Sequence, residues 1–256
     1  EDAAKVQQRH AHLLAGRTAP LVAGARLPQP DADGLAIECL VCAVGAETQA
    51  AERARGDFLC LLADDVDILD AQALEEMVAL ASIPGTGPVG AKLLRADGRL
   101  AHGGYVLGAG ECVAAAHPGL PVGAHGYRSR AVLNQNLAAV SSACLVIRRA
   151  RFLEVGGFDD SLASGLRDVD LCLRLRDRGL RTVWAAHAIA VQRGEATTPG
   201  WPEDELDRLR RRWGASLADD PAYNPNLDLE AADFRLAPQP REIGRASCRE
   251  RVSSPV

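Results

Sequence analysis

The run Phe58-Leu59-Cys60-Leu61-Leu62-Ala63-Asp64-Asp65-Val66-Asp67 decides the fold. An unbroken apolar stretch of this length, entered from Gly56-Asp57, predicts a parallel strand covered on both faces. Carboxylates at its carboxyl end then face the crevice where open α/β sheets bind ligands. Asp64, Asp65 and Asp67 repel one another unless a cation or a donor-rich ligand compensates them. Hard divalent cations take oxygen ligands and bridge to substrate phosphates. The cluster therefore points to a metal-dependent site for a phosphorylated donor. Capping explains a neighbouring acid instead: Asp70, before Ala71-Gln72-Ala73-Leu74, fits a helix N-cap.

The chain has 256 residues, 47% hydrophobic and 25% charged, with a net charge of −5 from 29 basic and 34 acidic residues. That length admits one α/β domain with a substantial core, or two small ones. Charges are mixed along the chain and no basic block suggests nucleic acid. Arg208 to Arg212, the richest basic stretch, fits a solvated helix face. No apolar run approaches the ~20 residues that span a bilayer, and no signal peptide is visible. At most a peripheral membrane association is expected. The seven cysteines are scattered apart from Cys39-Leu-Val-Cys42, which lies in a strand-like stretch. Buried thiols in a reducing, cytoplasmic setting are expected.

The chain starts at Glu1 and its one methionine is Met77, which reads as part of a longer reading frame. Residues from about 241 lack periodicity, follow a Pro-Gln-Pro break and resemble a translated sequencing adapter. The domain is therefore expected over 1–236, with 237–256 a disordered tail foreign to it.

Along the chain, Asp2 to Ala15 has helical spacing and Gly24 to Gly34 reads as a loop. Ala36 to Val44 is a strand candidate and Glu47 to Arg55 a short polar helix. Ala71 to Ser82 is amphipathic, with Leu74, Met77, Val78 and Ala81 on one side. Pro88 to Leu94 reads as a strand followed by a turn at Ala96-Asp97-Gly98. Gly103 to Arg130 is rich in Gly, Ala and His and is expected to be a long functional loop. Val140 to Ile147 returns to strand character, and Arg151 to Asp159 reads as a short helix ended by glycine. Strands alternating with helices predict βαβ units and a mostly parallel α/β sheet flanked by helices.

A second acidic site lies about a hundred residues further on. Leu166 to Gly179 reads as a helix with Asp168 at its N-cap, Asp170 in the first turn and Gly179 past its end. Residues two apart do not share a helix face, so one acid can serve the helix while the other points elsewhere. Simple stabilisation of the helix N-terminus by both is an equal alternative. Beside a metal cluster, the second acid suits a general base that deprotonates an acceptor hydroxyl.

Taken together, these segments resemble a family 2 glycosyltransferase of the GT-A fold, of the kind that builds bacterial O-antigen and other surface polysaccharides, rhamnosyltransferase-like members included. The matching stretches are Arg55 to Leu69, Val89 to Leu94 with Asp97 to Gly104, Ser141 to Asp159, Asp168 to Arg176, and Asp220 to Leu227. They cover roughly residues 50 to 236 in order. The resemblance implies a Rossmann-like sheet, here lacking part of its amino-terminal half, and an inverting transfer from a nucleotide-diphosphate sugar with Mg²⁺ or Mn²⁺. The implied acceptor is a glycan or lipid-linked glycan, met in the cytoplasm or at the inner face of the membrane.

By position, Asp65 matches the metal-binding aspartate of an Asp-x-Asp element, with Asp64 and Asp67 beside it. Asp65 and Asp67 are the expected metal ligands, and Asp168 matches the base. His102 joins the aspartates as a donor-side candidate, and Ser142, Arg167 and Asp170 are acceptor-side candidates. Tyr105 and His117 fit a pocket or the core equally well. The sequence departs from the family pattern at Ala63, at Arg167 and at Gln192-Arg193, where relatives often carry an acid or Asn, an acid or Asn, and a histidine. His187 is expected to be a surface or packing residue. Those departures keep open a non-catalytic domain of the same fold that binds a glycan or a protein partner. A nucleotidyltransferase using the same metal–diphosphate logic is more distant, because no glycine-rich base-binding loop is visible.

Overall fold

The computed structural model describes residues 37–41, 47–162, 164–193, 201–230 and 232–238, with backbone alone for 37–41 and 164. The expected helix over Asp2 to Ala15, the loop over Gly24 to Gly34, the Cys39–Cys42 side chains and the chain beyond 238 lie outside the described residues.

The elements run β1 (Ile37–Val41), α1 (Glu47–Arg53), β2 (Phe58–Leu62), β3 (Val66–Ile68), α2 (Ala71–Ser82), β4 (Thr86–Arg95), β5 (Leu100–His102), β6 (Tyr105–Leu107), β7 (Val113–Ala115), β8 (Gln135–Leu137), β9 (Cys144–Arg148), α3 (Arg149–Glu154), α4 (Ser164–Asp177), β10 (Arg181–Gln192) and α5 (Glu203–Ala218). The main sheet has the order β1-β2-β9-β4-β10-β3, with β5 on β4 and β8 on β10. β1, β2, β4 and β10 share one direction, as the expected parallel sheet requires. β9 runs antiparallel between β2 and β4, and β3, β5 and β8 also run against their neighbours. The sheet is therefore mixed, because the approach to β9 is an irregular segment rather than a crossover helix.

All five residues of β2 are buried. Alternation sends Leu59 and Leu61 into the larger core with Leu145, Phe152 and Leu166, and Phe58, Cys60 and Leu62 into a second core with Met77 and Val146. Both faces are covered, so the strand reads as a continuous apolar run. α2 closes the second core with Leu74, Met77, Val78 and Ala81, and Asp70 caps it by accepting from the Ala73 N–H at 2.8 Å. α4 ends where expected: Gly179 is left-handed at φ +79°, and the Leu180 N–H returns to Leu175 O at 3.2 Å.

Two further expectations need correction. The stretch from Gly103 to Arg130 carries the β6–β7 hairpin and a 3₁₀ segment over Tyr127–Val132, and its residues Tyr105, Val106, Leu107 and Ala116 belong to the larger core. Strands of three residues are too short for alternation to register. The helix expected from Leu166 starts at Ser164, so Asp168 lies in its second turn and is not an N-cap. His187 is exposed, as expected, in the β10 irregularity between Ala185 and Ile189.

Gly90 in β4 lets the Val140–Ala143 segment lie against the sheet, since a Cβ there would stand 2.5 Å from Val140 Cβ. We expect Gly90→Ala to destabilise the protein by about 1–3 kcal/mol, the usual range for overpacking, measured by urea unfolding. An unchanged midpoint would contradict this close packing.

Candidate active site

The acidic turn and Asp168 meet through two residues. β2 pairs with β9 so that Leu62 stands opposite Cys144, and the pairing continues as the Ala63 N–H donates to Ala143 O at 2.9 Å. One residue earlier, the Ser142 N–H donates to Asp168 Oδ2 at 2.9 Å. The segment Ser142-Ala143 therefore grips the acidic turn on one side and the α4 carboxylate on the other. Residues a hundred positions apart share one end of the sheet.

On the turn itself, the Val66 N–H closes onto Ala63 O at 3.1 Å. Asp64 is exposed, while Asp65 and Asp67 are half-buried. β3 then pairs with the end of β10, Val66 opposite Gln192. Gln192 Nε2 donates to Asp65 Oδ2 at 2.9 Å, and the Arg193 N–H donates to Asp65 O at 2.8 Å. The Arg193 guanidinium donates to Asp64 O and stands 3.1 Å from Asp67 Oδ2. Two of the residues that depart from the family pattern, Gln192 and Arg193, are thus the ones that hold the acidic turn. Their sequence gives no sign of this, because the pairing depends on β3 folding back onto β10.

Does this turn suit a divalent cation? Among the described residues, no group of three or more His, Cys, Asp and Glu converges as a metal cage. Asp65 and Asp67 nevertheless offer two carboxylates, the number Mg²⁺ commonly uses when substrate phosphates and water complete its shell. Asp65 Oδ1 carries no bond among the described residues. The Arg193–Asp67 pair is half-exposed and therefore weak. The residues fit a cation that arrives with a diphosphate.

Asp168 is 2% exposed, and its Oδ1 has no partner among the described residues. Burial raises its pKa to about 7, opposed by the Ser142 hydrogen bonds and the Arg167 charge and reinforced by Glu47. Arg167 is itself buried, bidentate to Glu47 at 2.6 and 3.3 Å and stacked 4.4 Å over the Phe158 ring. Glu47, at the start of α1, was not singled out from the sequence; nothing in the local pattern links it to a helix 120 residues away.

Asp170, also expected on the acceptor side, is fully buried. It accepts from Arg174 Nε at 2.7 Å and Trp213 Nε1 at 2.9 Å and forms an ion pair with Arg212 at 3.0 Å, which ties α4 to α5. Tyr105 lies near Asp168: burial, then the Asp168 charge, raises its phenol pKa, partly offset by a hydrogen bond with Ser141. Gly165 makes room here, since a Cβ on it would stand 2.8 Å from the Tyr105 hydroxyl and 2.3 Å from the Trp201 ring. His102 meets Tyr105 edge-on, with ring centroids 4.2 Å apart. Its Nδ1 accepts the Gly104 N–H at 3.0 Å, and burial lowers its pKa to about 4. The ring is neutral at pH 7, with its proton on Nε2.

The raised Asp168 pKa has a consequence for stability. The unfolded carboxyl ionises near pH 4 and the folded one near 7, so its contribution to stability is lost as pH rises between these values. Asn does not titrate. The melting temperature of Asp168→Asn relative to the parent should therefore climb from pH 4 to pH 7 and level off above. A difference that stays flat with pH would contradict the buried, proton-retaining carboxyl.

Residues 39–216 match the family model described as "Glycosyltransferase like family 2". Among curated proteins, the chain is 43% identical over 197 residues to the uncharacterized protein y4gI of Sinorhizobium fredii, covering 73% of this chain and 22% of that protein. It is 34% identical over 201 residues to the O-antigen biosynthesis protein RfbC of Myxococcus xanthus, covering 75% of this chain and 16% of that one. The chain thus spans less than a quarter of the length of either relative. Among solved structures, GalNAc-T7 with UDP, GalNAc and Mn²⁺ aligns at 16% identity and a TM-score of 0.49, over 69% of this chain and 35% of that one. The mannosyltransferase PcManGT from Pyrobaculum calidifontis, in complex with GDP-Man and Mn²⁺, aligns at 13% identity and a TM-score of 0.42, over 71% and 45%.

Proposed function

The chain belongs to glycosyltransferase family 2, and on that premise we propose that it carries the centre of a metal-dependent, inverting sugar transfer from a nucleoside-diphosphate sugar to a hydroxyl of a growing surface polysaccharide. One observation carries this reading: a buried carboxylate with a free oxygen, Asp168, is tied through Ser142-Ala143 to an acidic turn at the strand ends. The O-antigen role in the name of the Myxococcus relative supports the polysaccharide.

Asp168 is the general base. Its pKa of about 7 leaves a useful ionised fraction at neutral pH while keeping it basic enough to take a proton. Asp168 removes the proton of the acceptor hydroxyl, and that oxygen attacks the anomeric carbon from the face opposite the diphosphate. As the new C–O bond forms, the bond from the anomeric carbon to the phosphate oxygen breaks, the nucleoside diphosphate leaves with the electron pair, and the configuration inverts. Asp65 and Asp67 would hold Mg²⁺ or Mn²⁺, which when bound supplies charge stabilisation to the departing diphosphate. Gln192 and Arg193 orient the turn. Asp64 and His102 belong to the donor side, His102 as a neutral imidazole. Ser142 lies on the acceptor side, while Arg167, paired with Glu47, positions α4.

Among the described residues, the buried thiols of Cys112, Cys144 and Cys172 support a reducing, cytoplasmic setting. Among the described residues no helix is long and apolar enough to cross a membrane.

In the full-length protein, EDTA is expected to abolish transfer and Mn²⁺ or Mg²⁺ to restore it. Asp65→Asn and Asp168→Asn should each lower kcat/KM by at least ~10²-fold, the lower end for loss of a positioned base. The parent's kcat/KM should rise with pH and level off above about 7, as Asp168 loses its proton. Transfer that survives EDTA removes the metal from this reading, and normal turnover in Asp168→Asn removes the base.

A further inference from the structure

A second cleft, of about 490 Å³, opens between the Tyr127–Val132 segment with the start of β8 and the chain around Asn224 to Leu236. Its volume lies within the ~300–1,000 Å³ usual for small-ligand sites. It lies well away from the acidic turn. Gln135 pairs with Trp184, Trp184 with Gly90, and Gln192 with Arg95. Gly90 and Arg95 are five residues apart on β4, which at ~3.3 Å per strand residue is about 17 Å.

The cleft wall is unusually rich in unmet hydrogen-bonding capacity. Arg130, Gln135 and Asn226 all line it, and their Nε, Oε1 and Oδ1 atoms are buried without a partner among the described residues. Each such atom costs roughly 1–3 kcal/mol, and native proteins retain few of them. The surrounding bonds are already committed. Gln135 Nε2 donates to Arg130 O, so the free atom of its amide is the acceptor. The Asn226 N–H donates to Asn224 Oδ1, and its carbonyl accepts the Ala237 N–H, each at 2.9 Å. Arg130 stacks 4.3 Å from Phe234. Below the cleft, the buried Lys92 donates to Ala131 O at 2.9 Å and anchors the segment that carries Arg130.

A ligand that satisfies this wall must both donate and accept. Phosphate and carboxylate groups only accept, and would leave Gln135 Oε1 unpaired. Hydroxyl groups do both. The rim adds apolar surface from Tyr127 and from Leu133 and Leu236, which are 54% and 64% exposed. Hydroxyls against amides and a guanidinium, with C–H faces against leucine and tyrosine, describe a sugar. The unpaired atoms are turned from bulk water, so a modest rotation of flexible side chains toward the cleft is what brings them to a ligand.

We propose that this cleft binds a saccharide of two or more units and holds it well away from the acidic turn. The binding rests on the cleft's own atoms; only its use for a growing glycan rests on the transferase reading above. The test is saturation-transfer NMR and calorimetry on the whole chain, with oligosaccharides of two to six sugars released by mild acid from Gram-negative O-polysaccharides. The parent should bind members of this panel. Asn226→Leu should weaken binding at least tenfold without lowering the melting temperature, Gln135→Leu should weaken it at least tenfold, and millimolar inorganic phosphate should not compete. Asp168→Asn should bind as the parent does, so that a failure of transfer and a failure of the cleft are read separately. No binding across the panel, parent-like binding by both leucine variants, or displacement by phosphate would overturn the proposal.

Discussion

Two backbone groups on consecutive residues of one short segment, the Ser142 N–H and the Ala143 carbonyl, organise the candidate centre. The Ala63 N–H, donating to Ala143 O, extends the β2–β9 ladder past the end of both strands. The Ser142 N–H, donating to Asp168 Oδ2, pins α4 to that same extension. A carboxylate buried to 2% needs such a donor, since desolvation otherwise drives it to stay protonated. Gly90 makes the arrangement possible by leaving space for Val140 against β4. The positions of the acidic turn, Asp168 and the core segment are therefore coupled rather than independent.

Charge is balanced differently at the two ends of this segment. The acidic turn lies at the surface, where Gln192 and Arg193 answer Asp65 and Asp67 with exchangeable contacts. Asp168 lies in the interior beside Arg167, but that guanidinium is already neutralised by Glu47, so burial remains the dominant influence and the pKa stays near 7. One site is open to a cation and a diphosphate, and the other holds a proton until the pH reaches neutrality. That difference in environment suits similar carboxylates to the different roles proposed for them.

Much of the frame was legible before any coordinates. The buried strand over Phe58 to Leu62, the capped helix after Asp70 and the glycine stop at Gly179 follow from patterns that are local in sequence. Asp168 was found as a residue but misplaced as a cap, because α4 begins at Ser164, ahead of the expected start at Leu166. The antiparallel course of β9 was missed, since direction is decided by the route of Val140–Ala143 and not by β9's own residues. Glu47, Gln192 and Arg193 acquire their contacts only when segments more than a hundred residues apart are brought together. The hairpin at Tyr105 to Ala115 escaped for a plainer reason: its strands are three residues each.

The most direct test of this account is whether a cation at the acidic turn lies next to the base. Titrating the chain with Mn²⁺ and following paramagnetic broadening of assigned backbone amides measures that proximity. The account predicts that Ala63 to Val66 broaden together with Ser142 and Ala143, before Asn224 and Asn226 in the distant cleft, and that Asp65→Asn weakens the effect. Broadening that spares Ser142 and Ala143 while affecting the acidic turn, or that centres elsewhere, would contradict it.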